Sequence, residues 1–285
     1  LNLGRLANLQ PDPKKYPNWN PQLAGDMREE TLAFFEEVVW KLNRPLSDLL
    51  NAQFSFVTPR LADHYAGRRH VPTAASRKEG LTLRDLSSVE ERGGLLTQGS
   101  VLTIGGDEAS MVTRGLFVMD NLLRGVVKAP PPGTDTTPIP VRPGLSHRDA
   151  AQQRIDDKSC GGCHSKFEPL AFGLEKFDGL GSFQEKDHHG NTLRQDGEIL
   201  FPGEAGPVKF GTSAELMDLL AKSPRVHETL TWKITQFSLG RPLDARDARA
   251  VAGIHKSAQQ AGGTYASVVT AIILSDLVRM TRTES

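Results

Sequence analysis

With 285 residues and 31.1 kDa, the chain is long enough for one large domain or two ordinary ones with well-buried cores. Lys and Arg number 34 against 34 Asp and Glu, so the electrostatic footprint of a general nucleic-acid binder is absent. The longest apolar stretch, YASVVTAIIL from Tyr265, falls well short of the roughly 20 residues that cross a bilayer, and no membrane span is expected.

The N-terminal LNLGRLANLQPDP lacks a charged region followed by an apolar run, so a secretory leader is expected to have been removed or to lie upstream. In GDMREETLAFFEEVVWKL, Leu32, Phe35, Val38, Val39 and Leu42 recur at spacings of three and four, which predicts one buried helical stripe. A second helix is expected after Pro45, and PRLADHYAG reads as a short third that ends at Gly67. Residues 68–92 are polar and basic with little periodicity and read as loop. The glycine pairs and β-branched residues of RGGLLTQGSVLTIGG suit an irregular or briefly extended segment. Helical spacing returns in TRGLFVMDNLLRG, with Gly125 as the expected C-cap glycine.

KAPPPGTDTTPIPVRPG is dense in Pro and Thr and propagates neither helix nor central strand, so it is expected to run extended as a semi-rigid connector. The predicted organisation is therefore a helical docking or assembly domain over 1–127, a linker over 128–144 and a second helical domain over 145–285. Ser146, followed three residues later by Asp149, has the form of a capping box and opens the helix that delivers the chain to Cys160. A loop rich in Gly and Asp runs from Gly179 to Gly211, and four helices are predicted at about 213–222, 224–239, 244–260 and 264–281. No internal repeat is evident.

Both cysteines lie in SCGGCHSKFEPLAFGLEKFDG, three residues apart, with His164 directly after Cys163. Structural zinc needs four ligands, and neither a second cysteine pair nor a spaced histidine pair follows. A thioredoxin-like redox pair calls for a βαβ setting, which this helical context lacks, and a tight disulfide leaves the adjacent histidine unexplained. C-x-x-C-H is also the attachment signature of c-type haem: two thiols form thioethers with the vinyl groups on one porphyrin edge, and the following imidazole reaches iron. Haem is the favoured reading, with a disulfide or redox pair and then zinc behind it.

Pro169, Leu170, Phe172, Leu174 and Phe177, with Phe167, supply an apolar set suited to walling off a flat macrocycle, although an ordinary core contains the same residue types. A backbone carbonyl near Pro169 is the expected acceptor for the second ring N–H of His164. The sixth ligand decides between electron exchange and chemistry at an open position. Met280 continues the apolar stripe of Tyr265, Val268, Val269, Ile272, Ile273 and Leu277 and is the leading candidate. Met217, His227, His255 or no protein ligand are the alternatives, since a methionine on an apolar stripe is usually core. EKDHHGNTLRQDGE lacks the spacing of an EF-hand and reads as a solvated turn. GGLLTQG lacks the Lys of a phosphate loop.

CGGCHSKFEPLAFGLEKFDGLGSF, FSLGRPLDARD and ILSDLVRMTR resemble the C-terminal portion of planctomycete-type cytochrome c-containing proteins, multidomain chains built of consecutive domains of unknown function. DMREETLAFFEEVV, PRLADHYAG, RGGLLTQGSVLT and TRGLFVMDNLLRGVVKAPPPG resemble the motifs that precede the haem motif in that family, in the same order. The chain departs from the pattern at Glu168, where the family tends to have Asp, at Ala171 and Gly173, at Phe183 and Gln184, and around Val112 and Thr113. The resemblance implies a mainly α protein whose C-terminal domain is cytochrome c-like, carrying one covalent haem c outside the cytoplasm, in the periplasm or at the cell surface of a bacterium. It also implies a piece or processed subunit of a longer protein.

The function expected is one-electron transfer to or from a partner redox protein, with Cys160 and Cys163 as anchors, His164 proximal and Met280 distal. Two alternatives stand beside it: a haem enzyme of peroxidase type with an open distal side, and a structural haem subunit of a larger assembly.

Overall fold

Asn20 ends an extended approach, and its side chain accepts the Leu23 N–H at 2.9 Å, capping a helix that opens on Pro21. In the computed structural model, which describes residues 2–66, 80–89 and 91–279, this helix is α1, Pro21–Glu36, and it runs on through a π-helical turn, Glu37–Lys41. Its buried face is Met27, Thr31, Phe34 and Val38, whereas Leu32, Phe35 and Leu42 are exposed. The expected stripe is thus rotated. The buried face carries polar positions that hydropathy does not flag: Thr31 bonds Gln98 and Ser100, and Glu30 bonds Ser55 and Tyr65.

After α2, Asp48–Asn51, strand β1, Phe54–Val57, leads into α3, Pro59–Ala66. Strand β2, Thr82–Asp85, pairs antiparallel with β1, Phe54 opposite Asp85, so part of the stretch read as loop is extended; Gly67 and residues 68–79 lie outside the described residues. The segment read as irregular or extended is instead helical in short pieces, among them α4, Gly99–Leu102, flanked by 3-10 turns at Leu95–Thr97 and Thr103–Gly105. Burial decides this. Leu96, Val101 and Leu102 are core, and Ser100 and Thr103 are buried with their polar atoms bonded.

Helix α5, Met111–Asn121, starts where Ser110 accepts the Thr113 N–H. It ends with Arg124, not Gly125, in the left-handed region at φ 50°, its guanidinium stacked on the Trp232 ring at 4.2 Å. Residues 128–141 carry no helix or strand and are mostly exposed. The capping box at Ser146 and Asp149 forms in both directions and opens α6, His147–Asp156, followed by α7, Gly161–Phe167, and a 3-10 stretch, Glu168–Leu174. Strands β3, Gly197–Ile199, and β4, Val208–Phe210, form a second hairpin inside the Gly- and Asp-rich segment. Then come α8, Ser213–Lys222, α9, Pro224–Leu239, α10, Ala248–Gln260, α11, Tyr265–Leu274, and α12, Asp276–Arg279. The fold is mainly α, as expected from the sequence.

Core side chains from both sides of the Pro-rich segment join one large cluster: Leu102, Met111, Val118 and Leu123 pack with Phe167, Leu170, Phe177, Leu216 and Met217. A second cluster sets Phe34, Val38 and Val39 of α1 and its π turn against Ile254 and Ala258 of α10 and Val268 and Ile272 of α11. A third gathers Leu6, Leu23, Met27, Val57 and Leu61. No helix among the described residues is long and apolar enough to cross a membrane.

Candidate functional site

The approach to the Cys-His segment is fixed by one carboxylate. Asp157 Oδ1 accepts the backbone N–H groups of Ser159 and Cys160 at 2.8 and 2.9 Å, which turns the chain out of α6 and starts α7. The two glycines between the cysteines differ in role. A Cβ on Gly161 would stand 2.1 Å from the Ile155 carbonyl oxygen, so only glycine lets α7 close on the end of α6, while Gly162 faces open space. Cys160 is already in helical conformation, and its carbonyl accepts from both Cys163 and His164 N–H at 3.1 Å. Positions i, i+3 and i+4 share a helix side, so both thiols and the imidazole belong to one face of one turn.

Both cysteines are free; Cys163 is exposed and Cys160 partly so. Desolvation, and then the Asp157 carboxylate, push the Cys160 thiol up, opposite to the lowered thiol that a disulfide oxidoreductase uses as nucleophile.

One turn beyond His164, the carboxylate of Glu168 is 0% exposed. His164 Nδ1 meets Glu168 Oε1 at 2.5 Å, and Arg154 of α6 clamps the same carboxylate with Nε to Oε1 at 2.7 Å and Nη2 to Oε2 at 2.6 Å. A carboxylate only accepts, so Nδ1–H is the donor in this bond and Nε2 is left for another partner. The expected partner near Pro169 is thereby corrected: the acceptor is the Glu168 side chain and not a backbone carbonyl. His164 and Glu168 are an i,i+4 pair, a spacing that was readable once the segment was helical; Arg154 becomes a neighbour only through the turn at Asp157.

The segment after the helix is anchored by two further buried charges. Arg114 donates to the carbonyls of Leu174, Phe177, Asp178 and Leu102 at 3.0, 2.8, 2.5 and 3.2 Å. Desolvation pulls its guanidinium down to about 10, which leaves it charged at neutral pH. Arg148 pairs with buried Glu175 at 3.0 Å, and Glu175 also accepts from Ser146 Oγ and the Arg194 N–H. Gly115 of α5, next to Arg114 in the chain, lies so close that a Cβ there would fall 2.1 Å from the Phe167 carbonyl oxygen. None of these supports was singled out from sequence, where buried arginines and close-approach glycines carry no local signature.

Of the expected wall, Leu170, Phe172, Leu174 and Phe177 are buried in the large cluster with α5 and α8, and Pro169 is partly exposed. The ring beside His164 is Phe167, centroid to centroid 5.0 Å. Met217 is core on α8, His227 Nε2 lies 2.6 Å from the Ala221 carbonyl, and His255 Nδ1 lies 3.0 Å from Thr231 Oγ1. Met280 lies outside the described residues; Leu277 packs against the second cluster. In the EKDHHGNTLRQDGE turn, Asp187 accepts from the N–H groups of His189 and Asn191, as a solvated turn requires.

No three His, Cys, Asp or Glu side chains among the described residues group as a protein-only metal site would need. A haem iron makes no such demand, because the porphyrin supplies four nitrogens. The donor set fits it: two unpaired thiols and an imidazole with its Nδ1 bound and its Nε2 free, all on one helical face.

Residues 1–66 match the family described as "Protein of unknown function (DUF1592)", residues 92–187 the one described as "Protein of unknown function (DUF1588)", and residues 208–278 the one described as "Protein of unknown function (DUF1585)". The middle match holds the Cys-His turn and runs across the Pro-rich segment. No curated protein and no solved structure matches the chain.

Proposed function

Taking as premise that the chain carries three planctomycete-type cytochrome c-associated domains, we propose that it is an extracytoplasmic c-type cytochrome passing single electrons to or from a partner redox protein. Cys160 and Cys163 would hold one haem through thioethers, with His164 Nε2 and Met280 as the residues that would ligate its iron. When bound, the haem supplies a one-electron Fe(III)/Fe(II) couple.

The observation that carries this reading is the His164 and Glu168 pair beside two free thiols. A histidine that needs a fixed tautomer and a fixed ring plane is typically held by a carboxylate or carbonyl at its non-ligating nitrogen. Glu168 does this from a position closed to water. Arg154 keeps the carboxylate in place with two bonds. Phe167 flanks the imidazole, and Leu170, Phe172, Leu174 and Phe177 form the packed floor on which this turn rests, with Pro169 at its edge. Residues 1–127 are the candidate docking or assembly region. Haem attachment of this kind belongs outside the cytoplasm, in the periplasm or at the cell surface.

A second reading, a haem of peroxidase type with an open distal position, draws on the same carboxylate-bonded imidazole, because a strongly donating axial ligand favours O–O cleavage. Optical spectra of the purified chain in both oxidation states separate the two. Low-spin bands in both states, converted to high spin by Met280→Ala, support electron transfer with Met280 as ligand. A high-spin ferric protein with fast peroxide turnover supports the second reading, and a spectrum without haem bands contradicts both.

A further inference from the structure

We infer that Glu168 is a tuning residue: its buried carboxylate, by taking the Nδ1 proton of His164 in hydrogen bond, makes the imidazole a stronger donor and holds the midpoint potential of the bound haem down. The inference rests on the haem reading above and adds to it the direction in which the protein biases electron flow.

Three features point the same way. Glu168 is 0% exposed, and its partners are His164 and Arg154. The carboxylate therefore sits in a low-dielectric setting, where its charge acts on the adjacent imidazole more strongly than it would in water. The acceptor is anionic, and a charge-assisted bond from Nδ1–H gives the ring more imidazolate character than a neutral carbonyl does. Finally, the bond is intrahelical, one turn apart, so it persists as long as α7 continues into the 3-10 stretch.

The sign follows from charge. One electron passes from a reduced partner to Fe(III), giving Fe(II); no bond to the chain forms or breaks, and the Nδ1 proton stays on His164. The metal centre loses one positive charge in that step. A donor strengthened by a carboxylate stabilises the more positive state, ferric, and so lowers the potential. Arg154 draws on the same Oε1 and weakens the effect, so the two residues set the potential in opposite senses. Where a His/Met pair raises a potential, this carboxylate opposes the rise. The haem is biased toward giving its electron away, and the partner it suits is an acceptor of higher potential.

The test is an optical redox titration of the full haem-bearing chain and three variants. Glu168→Gln keeps the size and an acceptor oxygen but removes the charge. It is expected to raise the ferrous-to-ferric ratio at fixed ambient potential at least tenfold, which is ~59 mV for one electron. Arg154→Gln is expected to lower the ratio. Asp156→Asn neutralises an exposed carboxylate close in sequence while keeping an oxygen for the Gln152 amide, and is expected to change the ratio less than threefold. The ferric EPR spectrum should change its g-anisotropy in Glu168→Gln and keep it in Asp156→Asn. If Glu168→Gln does not fold or load haem, the downward shift in Arg154→Gln carries the test, and an upward or absent shift there overturns the inference. Equal shifts in Glu168→Gln and Asp156→Asn, or an unmoved midpoint in haem-loaded Glu168→Gln, overturn the Glu168 assignment alone. A wild-type chain without haem overturns the haem reading with it.

Discussion

Glu168 lies one helical turn beyond His164, and its solvent-excluded carboxylate meets the imidazole Nδ1 at 2.5 Å while Arg154 grips it from the other side. Breaking this arrangement at the arginine leaves a buried carboxylate without its cation. Arg154→Ala is therefore expected to destabilise the chain by about 3 kcal/mol, read as a lower urea midpoint at unchanged slope. A surface ion pair would give ~1 kcal/mol or less. A midpoint within that smaller range would mean that Glu168 is not held as described.

The two glycines of the Cys-Gly-Gly-Cys turn make a sharper contrast. Gly161→Ala places a Cβ against the Ile155 carbonyl oxygen and is expected to cost about 1–3 kcal/mol, because α6 and α7 must part. Gly162→Ala meets nothing within 4 Å and gains helix propensity, so it is expected to be neutral or to stabilise by up to about 1 kcal/mol. Thermal denaturation of the pair decides it. Equal effects would contradict the close approach at Gly161.

Glu30 gives the pH dependence. It is fully buried among Ser55, Tyr65 and Arg92, and desolvation raises its pKa to about 7 from an ordinary 4.5, against the lowering effect of those neighbours. A carboxyl whose folded pKa lies above its unfolded value binds more protons when folded. Its stabilising contribution is full below about 4.5 and is lost as pH rises through about 7. The difference corresponds to at most ~3 kcal/mol. Urea denaturation between pH 5 and pH 8 should show this loss in the wild type and a flatter profile in Glu30→Gln. An equally steep profile in the variant would assign the dependence to another group.

The cysteines are expected to act separately. Cys160→Ser or Cys163→Ser leaves one thiol, and the pyridine haemochrome band of either variant should shift toward that of a haem with one free vinyl group. The double variant should lose haem under denaturing conditions. A band unchanged in either single variant would mean that its cysteine makes no thioether.

Much of this fold was readable along the chain because its signals are local. The capping box at Ser146 and Asp149 and the succession α8 to α11 follow from side chains within a few residues of each helix end. Elements decided by distant partners were not readable. The α1 stripe pointed to Leu32 and Phe35, yet the buried face carries Glu30 and Thr31, whose bonds come from Ser55, Tyr65, Gln98 and Ser100. The short helices around Gly99 follow from burial in a core assembled across the Pro-rich segment. At the site, the Cys-His spacing was legible as chemistry. Its support was not, because Arg154 and Arg114 become neighbours of the 164–178 segment only after α5, α6 and α7 have packed.

Electron transfer by this chain requires one tetrapyrrole bonded to the thiols of Cys160 and Cys163, and the decisive experiment is intact-mass spectrometry of the chain isolated denatured from cells that mature c-type haem. A single species heavier than the polypeptide by one haem is expected. A species at the bare polypeptide mass, or one lighter by two hydrogens through a bond between the two sulfurs, would contradict it.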